Sequence, residues 1–364
     1  MRFVEYGDAH ETMYLRFANK VGRASLARQF SYYGASDSTV LRRHILIDDG
    51  ADPPAVIGAV TTKVQDYVLA GQTIRVAVAT YPIGLGVVEP KYAMAGVLIF
   101  RKLLESYPLN ILGTAPPETN TVAKLCSMLG WRLSPVPYLF MPRRIAPLVA
   151  KQLATRPALA AMARLAGQLG LLVPFEAVLH RRARRPAVKP EIDRVAGFDA
   201  ELDGWWSAYA EEIGFGLARD SRQMNAMFPA SVGAFERLVF RRSGRIVGFA
   251  VLLIPKPEEA RKALGANVVT LVEFCALDAH LEDAAAALAQ RLWRQKLDAV
   301  LVNHSHGKTV EALQAVGFVP RPTNMYLAVS PTLQARLDAA GVGLSEMVIT
   351  RADGDGPIGL GVDL

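Results

Sequence analysis

The stretch Val87–Leu98, VVEPKYAMAGVL, marks where an extended apolar run ends and a helix begins. Upstream, TIRVAVATYPIGLGVV (73–88) is rich in β-branched residues and reads as a strand. Downstream, Val97, Leu98, Phe100, Leu103 and Leu104 recur at helical spacing until Pro108 stops them. A helix starting just after Pro90 presents free backbone N–H groups that favour an anion, and Gly96 lets such a group approach closely. The same glycine also suits plain close packing of an amphipathic helix on a sheet.

Outward from this point the pattern is regular. VIGAVTTKVQDYVLAG (56–71) is a second strand, and the break at Ala70, Gly71 and Gln72 predicts a hairpin turn between the two. LNILGTA (109–115) is a short strand, and TNTVAKLCSMLGW a helix closed by Gly130 as its C-cap.

A second region repeats this order. RIVGFAVLLI and NVVTLVEFCAL read as strands, EDAAAALAQRLWRQKL as a helix, DAVLVNHS as a strand and GKTVEALQAVGF as a helix. Gly130 and Gly317 lie 187 positions apart, and Ile57-Gly58 and Val247-Gly248 lie 190 apart. Two copies of one supersecondary unit imply two similarly folded domains, since each must bury its own sheet face.

With Val88, Pro90, Tyr92 and Gly96 in register, and Gly130-Trp131 closing the following helix, the chain resembles a tandem member of the GCN5-related N-acyltransferase family. The resemblance covers about residues 50–142, and residues 200–330 more weakly. It departs from the family at Ala93, where Arg or Gln is usual, and at Leu98, usually a small residue. It implies an α/β (α+β) fold of two tandem units, each a mixed, mostly antiparallel twisted sheet flanked by helices. The expected divisions are 1–148, a helical basic connector 149–190, a degenerate second unit 191–332 and a tail 333–364. It further implies acetyl-CoA or another acyl-CoA as cosubstrate, held by Val88, Ala93, Met94, Ala95, Gly96 and Val97, with no metal.

The corresponding stretch of the second half, ALDAHLEDAAAALAQ, has no glycine, and Asp278, Glu282 and Asp283 at its helix start would repel a pyrophosphate. The segment Phe198–Ala230 resembles the connecting region of tandem acyltransferases of bacterial polysaccharide and peptidoglycan-precursor pathways. That likeness makes Arg219 a substrate-binding candidate and implies a saccharide, small-molecule or lipid-linked acceptor.

Acyl transfer to an amine needs a base, a donor for the carbonyl oxygen and an acid for the leaving thiolate. Four residues before Gly130, where the family often has a Tyr acid, stands Cys126, a thiol that could protonate the leaving group, although a buried Cys in an apolar helix is more often inert core. Tyr81 and Tyr92 flank the loop as alternatives, Tyr81 as acid and Tyr92 as an acceptor contact, and both also suit packing. Glu273, inside an apolar strand, must be ion-paired or have a raised pKa, and so is a candidate base. His304 and His306 have no third metal ligand in sequence and read as substrate contacts or the start of a helix. Asp353 and Asp355 in ADGDG lack the remaining ligands of a calcium loop and read as a mobile terminal turn.

Composition fits this picture. The chain has 364 residues, 51% apolar and 21% charged, which suits two buried cores and excludes global disorder. Its +7 charge is uneven: residues 1–150 carry 16 cations and 11 carboxylates, 151–190 carry 8 and 1, and 191–364 carry 17 and 22. The basic excess sits in the connector, where Arg181, Arg182, Arg184 and Arg185 follow an apolar, arginine-studded helix. That segment reads either as a membrane-surface helix with a basic flank or as a connector packed on both domains. Without interleaved aromatic residues it does not read as a nucleic-acid surface.

Two cysteines exclude a disulfide framework, and the N-terminus lacks the apolar core of a signal peptide. A cytoplasmic location is therefore expected, peripheral to the inner membrane face if the connector lies on lipid. Two further readings stay open: a non-catalytic binding or scaffold protein, and a Fem-type transferase using aminoacyl-tRNA. Oligomeric state is left open.

Overall fold

The computed structural model describes residues 1–22, 39–153, 155–169, 171, 186–255, 266–295 and 297–353. The arginine cluster 181–185 and Asp355 lie outside them.

The N-terminal unit opens with strand β1 (Arg2–Glu5), helix α1 (Glu11–Lys20) and strands β2 (Thr39–Asp48), β3 (Ala55–Leu69) and β4 (Gln72–Gly84). The expected hairpin is present: Leu69 pairs with Gln72, and Ala70 and Gly71 take the positive φ angles, 46° and 79°, that so tight a reversal requires. Helix α2 (Ala95–Ser106), strand β5 (Asn110–Thr114), helix α3 (Thr121–Met128) and strands β6 (Arg132–Pro135) and β7 (Tyr138–Pro142) follow. Asn120 caps α3 by accepting from the amides of Val122 and Ala123, and Gly130 ends it at φ 78°. Helices α4 (Ile145–Gln152) and α5 (Pro157–Gln168) form the connector.

The C-terminal unit runs through β8 (Glu191–Val195), α6 (Glu201–Tyr209), β9 (Phe215–Leu217), α7 (Ser221–Met227), β10 (Phe235–Arg242), β11 (Arg245–Leu253) and β12 (Val268–Ala276). It continues with α8 (Leu281–Arg294), β13 (Ala299–Asn303), α9 (Gly307–Ala315), β14 (Val319–Arg321), β15 (Tyr326–Val329), α10 (Pro331–Ala339) and β16 (Met347–Val348).

Two mixed sheets result, ordered β1-β2-β3-β4-β5-β15-β6 and β14-β7-β13-β12-β11-β10-β8, with β9 added to β3 and β16 to β9. The repeated ends of the two units are exchanged. β15 lies between β5 and β6 of the first sheet, while β7 lies between β13 and β14 of the second. The sheets therefore cross the sequence divisions at 148 and 332, and neither closes without a strand from the other half.

The stretch from 333 onward, expected as a tail, is folded as far as Asp353. Leu333 and Leu337 of α10 and Met347, Val348 and Ile349 are buried in the core beneath both sheets. That core also takes Tyr67, Leu69 and Val76 from the long β3–β4 arm and Trp205, Tyr209 and Phe215 from the other half. Burial of so many large apolar side chains, at roughly 1.5–3 kcal/mol each, joins the halves through one shared core.

Candidate active site

The parallel pairing of β4 with β5 covers only Ala77–Asn110, Val78–Ile111 and Ala79–Leu112. β4 then runs on to Gly84 without β5. The cause lies on its other edge: Ala59 faces Ile83 while Thr61 faces Thr80, so Tyr81 and Pro82 oppose the single residue Val60. That bulge sets Tyr81 at φ 49°, a left-handed conformation uncommon outside glycine, and turns the strand away from its neighbour. A wedge opens between the C-terminal ends of two parallel strands, the place where α/β sheets take ligands.

The loop closing the wedge consists of two 3-10 turns, Leu85–Val87 and Pro90–Tyr92, before α2 starts. A Cβ on Gly86 would fall 2.5 Å from the Tyr92 carbonyl oxygen, and one on Gly84 would fall 3.1 Å from the Gly96 nitrogen. The strand end is thus pressed onto the helix start, and only glycine permits it at Gly86. Gly96 itself faces Leu125 of α3, 3.3 Å from an added Cβ, so its small size serves helix packing. Met94 is the N-cap and 60% exposed; Val88 is exposed, Ala93 is exposed and Ala95 is buried. The amides of Ala95, Gly96 and Val97 lie in the first turn, where no carbonyl of the helix can receive them. Two residues past the last β4–β5 pair, the buried Thr114 hydroxyl has no partner. An unsatisfied donor and a row of helix-start amides fit a ligand rich in acceptors, such as a coenzyme A diphosphate and its pantetheine amides; with Ala93 in the loop, the arginine or glutamine usual in the family is missing from this cradle.

Of the residues expected around the loop, Tyr81 stands on β4, Val88 and Ala93 in the loop, and Met94, Ala95, Gly96 and Val97 at the start of α2. Tyr92 turns the other way: its hydroxyl donates to Asp48 Oδ2 at 3.3 Å, and its ring carries Lys91 Nζ 4.8 Å from its centroid. It lines a separate cavity of about 280 Å³ beside α1, together with Arg16, Lys20 and Lys91. Cys126 is fully buried with Phe100 and Trp131, and burial pushes its thiol up to about 12. It is core in this structure, since α3 turns that face onto the sheet.

Glu273, Arg219 and His304 lie together in the other unit. β12 and β13 pair in parallel only from Val268–Ala299 to Leu271–Val302, with a bulge at Val272, so a second wedge opens at the equivalent point. It is filled by protein. Arg219 Nε donates to Glu273 Oε2 at 2.7 Å and its Nη2 to Asp353 Oδ2 at 3.2 Å, with all three side chains at most 1% exposed. Burial alone would lower the Arg219 pKa, but the two carboxylates outweigh it and hold the guanidinium charged. Burial raises the Glu273 carboxyl, against the pull of Arg219.

His304 Nε2 meets the Phe274 carbonyl at 3.1 Å and so donates, while Nδ1 accepts from the His306 amide at 3.1 Å. Both ring nitrogens are satisfied only in the neutral form; burial first, then His306 and Arg219, bring its pKa down to about 3. His306, 5% exposed, shares a hydrogen bond with the Thr309 hydroxyl, and burial lowers its pKa. Arg219, His304 and His306 are interior groups here and not surface contacts for a substrate. Asp353 corrects the expectation of a mobile turn: it accepts from the Thr350 amide and from Arg219. Sequence reading missed Asp353, Thr350 and Thr114; ADGDG held the only visible signal, and its burial depends on the path of the preceding strand. Among the described residues no group of three His, Cys, Asp or Glu is placed to hold a metal.

No family model matches the sequence, and no curated protein matches it. Solved structures do. A conserved protein of unknown function from Enterococcus faecalis V583, described as a probable N-acyltransferase, superposes with TM-score 0.57 at 11% identity over 92% of this chain and 74% of its own. A GCN5-related N-acetyltransferase from Anabaena variabilis ATCC 29413 gives 0.56 at 8% identity over 90% and 72%. One from Kribbella flavida gives 0.53 at 14% over 93% and 74%. At such identities the likeness is one of fold, and it spans both units.

Proposed function

On this acetyltransferase fold, we propose that the chain is an acyl-CoA-dependent N-acyltransferase with its cosubstrate in the N-terminal unit. The observation that carries the reading is the wedge between β4 and β5 next to the open N-terminus of α2. The diphosphate lies against the helix-start amides, and the pantetheine arm enters the wedge beside Thr114. In this reading an acceptor amine attacks the thioester carbonyl, its nitrogen gives up a proton, the C–S bond breaks to leave the amide, and the thiolate takes a proton, so that none is gained or lost overall. We assign the proton taken by the thiolate to Tyr81, which stands at the bulge on β4. Bound thioester carbonyl oxygen would be met by amides on the free edge of β4. The acceptor is an amine, or a hydroxyl, of a small molecule, saccharide or lipid-linked intermediate bound between the units. The second wedge offers no room for a second cosubstrate.

A non-catalytic scaffold is the second reading, favoured by Ala93, which leaves the loop without its cation. Thermal shift and calorimetry with acetyl-CoA and longer acyl-CoAs separate the two, on wild type and on Met94→Asp. Asp at an N-cap supports the helix while placing a charge against the phosphates. Stabilisation of wild type with loss in Met94→Asp supports the transferase; no response to any thioester supports the scaffold.

A further inference from the structure

The connector helices α4 and α5 pack in a way that a simple spacer does not require. Their contact is made by small residues: Ala146, Ala150 and Ala160 are buried, and a Cβ on Gly167 would fall 2.3 Å from that of Ala146. Large apolar side chains point out instead. Leu159, Met162, Leu165 and Leu169 are 41%, 65%, 54% and 66% exposed and recur at helical spacing on one face of α5 and its C-cap. Leu171, at 67%, and Val149 of α4, at 38%, are exposed as well. A hairpin built only to join two domains would bury its leucines and expose its alanines, because burial of the larger side chain is worth more.

The charge of the sequence that carries this face is of one sign. From Thr119 to Phe175 the sequence contains no Asp or Glu, while Arg143, Arg144, Lys151, Arg156 and Arg164 fall on or beside the hairpin. Over 151–190 the balance is eight cations to one carboxylate. Among the described residues no helix is long and apolar enough to cross a membrane, and α5 has only 12 residues. An apolar stripe on a short helix in a cationic stretch of sequence, with Arg144 and Arg156 exposed, complements the interface of an anionic bilayer: leucines enter the acyl boundary and cations meet lipid phosphates.

We propose that the α4–α5 hairpin is a membrane-surface docking element that seats the protein on anionic phospholipid through Leu159, Met162, Leu165 and Leu169. The proposal does not depend on the acyl-transfer reading. The test is flotation of the full chain with vesicles of phosphatidylcholine alone and of phosphatidylcholine with about 30% phosphatidylglycerol. Wild type should float with the anionic vesicles and not with the neutral ones, and high salt should weaken it. Leu159→Ser with Leu165→Ser should lower the partition coefficient by roughly tenfold per leucine. Both positions are exposed, so the circular dichroism spectrum of the double variant should match wild type. Arg156→Gln should weaken binding to anionic vesicles by a smaller factor. Failure of wild type to float with anionic vesicles, or equal flotation of the double variant, overturns the proposal. So does a dimer in light scattering that the double variant turns into a monomer without vesicle binding, since a second copy would then cover the face.

Discussion

In the N-terminal unit, β4 leaves β5 after Ala79–Leu112; the unpartnered Thr114 hydroxyl lies two residues further along β5, and α2 starts after the loop that ends β4. In the C-terminal unit, β12 leaves β13 after Leu271–Val302, and the gap holds Arg219 between Glu273 and Asp353, with His304 bridged to Thr350. Both wedges come from the same cause, a bulge on the other edge of the departing strand. A bulge creates two unpaired strand edges whose polar groups must be met by something. A ligand can do this, or the chain's own segment can. Met347–Asp353 does it in the second unit, which turns a binding geometry into a stabilising one.

The largest expected effect is therefore on stability and in the second wedge. Arg219→Met leaves two buried carboxylates unpaired and should cost about 3–5 kcal/mol in urea unfolding. Adding Glu273→Gln and Asp353→Asn should return part of it. A variant as stable as wild type would end the distinction between filled and open wedges. In the first wedge the largest effect should be on rate: Tyr81→Phe is expected to keep the fold and lower turnover by about a hundredfold.

Acid should act on the second wedge through His304. His304 is near 3 when folded and near 6.5 when unfolded, so the folded state binds fewer protons. Its contribution is complete above the unfolded value and is lost as pH falls toward the folded one. Between pH 7 and 5 that amounts to about 2 kcal/mol. Glu273, raised by burial, has the opposite sign, with stability lost as pH rises from the ordinary carboxylate range through its folded value. The comparison of wild type with His304→Asn isolates the histidine: the stability difference should shrink by that amount on acidification. A constant difference would show that the fold does not shift the His304 pKa from its unfolded value.

The doubled unit, the hairpin at Ala70–Gly71 and the helix closed by Gly130 were legible because each rests on local signals: periodicity, turn chemistry and a positive φ. The exchange of β7 and β15 was not, because the two repeat ends are alike and either could complete either sheet. Glu273 was legible as a buried carboxylate, and its partnership with Arg219, 54 positions away, was one of several open pairings. Asp353 defeated the reading altogether. Polar residues near a terminus look solvated in sequence, and only the course of Met347–Ile349 through the core shows that this one is interior.

Thr114 sharpens the comparison on a finer scale. Its hydroxyl, its one polar side-chain atom, is buried and unpartnered, whereas Arg219, Glu273 and His304 of the second wedge are hydrogen-bonded. Removing an unsatisfied buried donor should not destabilise the protein, so Thr114→Val is expected to unfold at the wild-type urea concentration or slightly above. If the pantetheine arm passes this group, acyl-CoA affinity should fall about three- to tenfold, the worth of one net hydrogen bond. Unchanged affinity would remove Thr114 from the cosubstrate's path.

Cys126 should give the smallest effect, and the reason is geometric. The thiol sits on the face of α3 that packs against Phe100 and Trp131, and desolvation, with no cation beside it, pushes its pKa to about 12. A proton donor for a leaving thiolate must reach the sulfur it protonates, and a side chain at 0% exposure inside an apolar cluster does not. Cys126→Ala removes one buried sulfur and should cost about 1 kcal/mol of stability, with turnover unchanged once folded protein is counted. Were turnover to fall as steeply as in Tyr81→Phe, the acid would belong to α3 and the wedge would extend deeper between β5 and the helix layer than the strand pairing indicates.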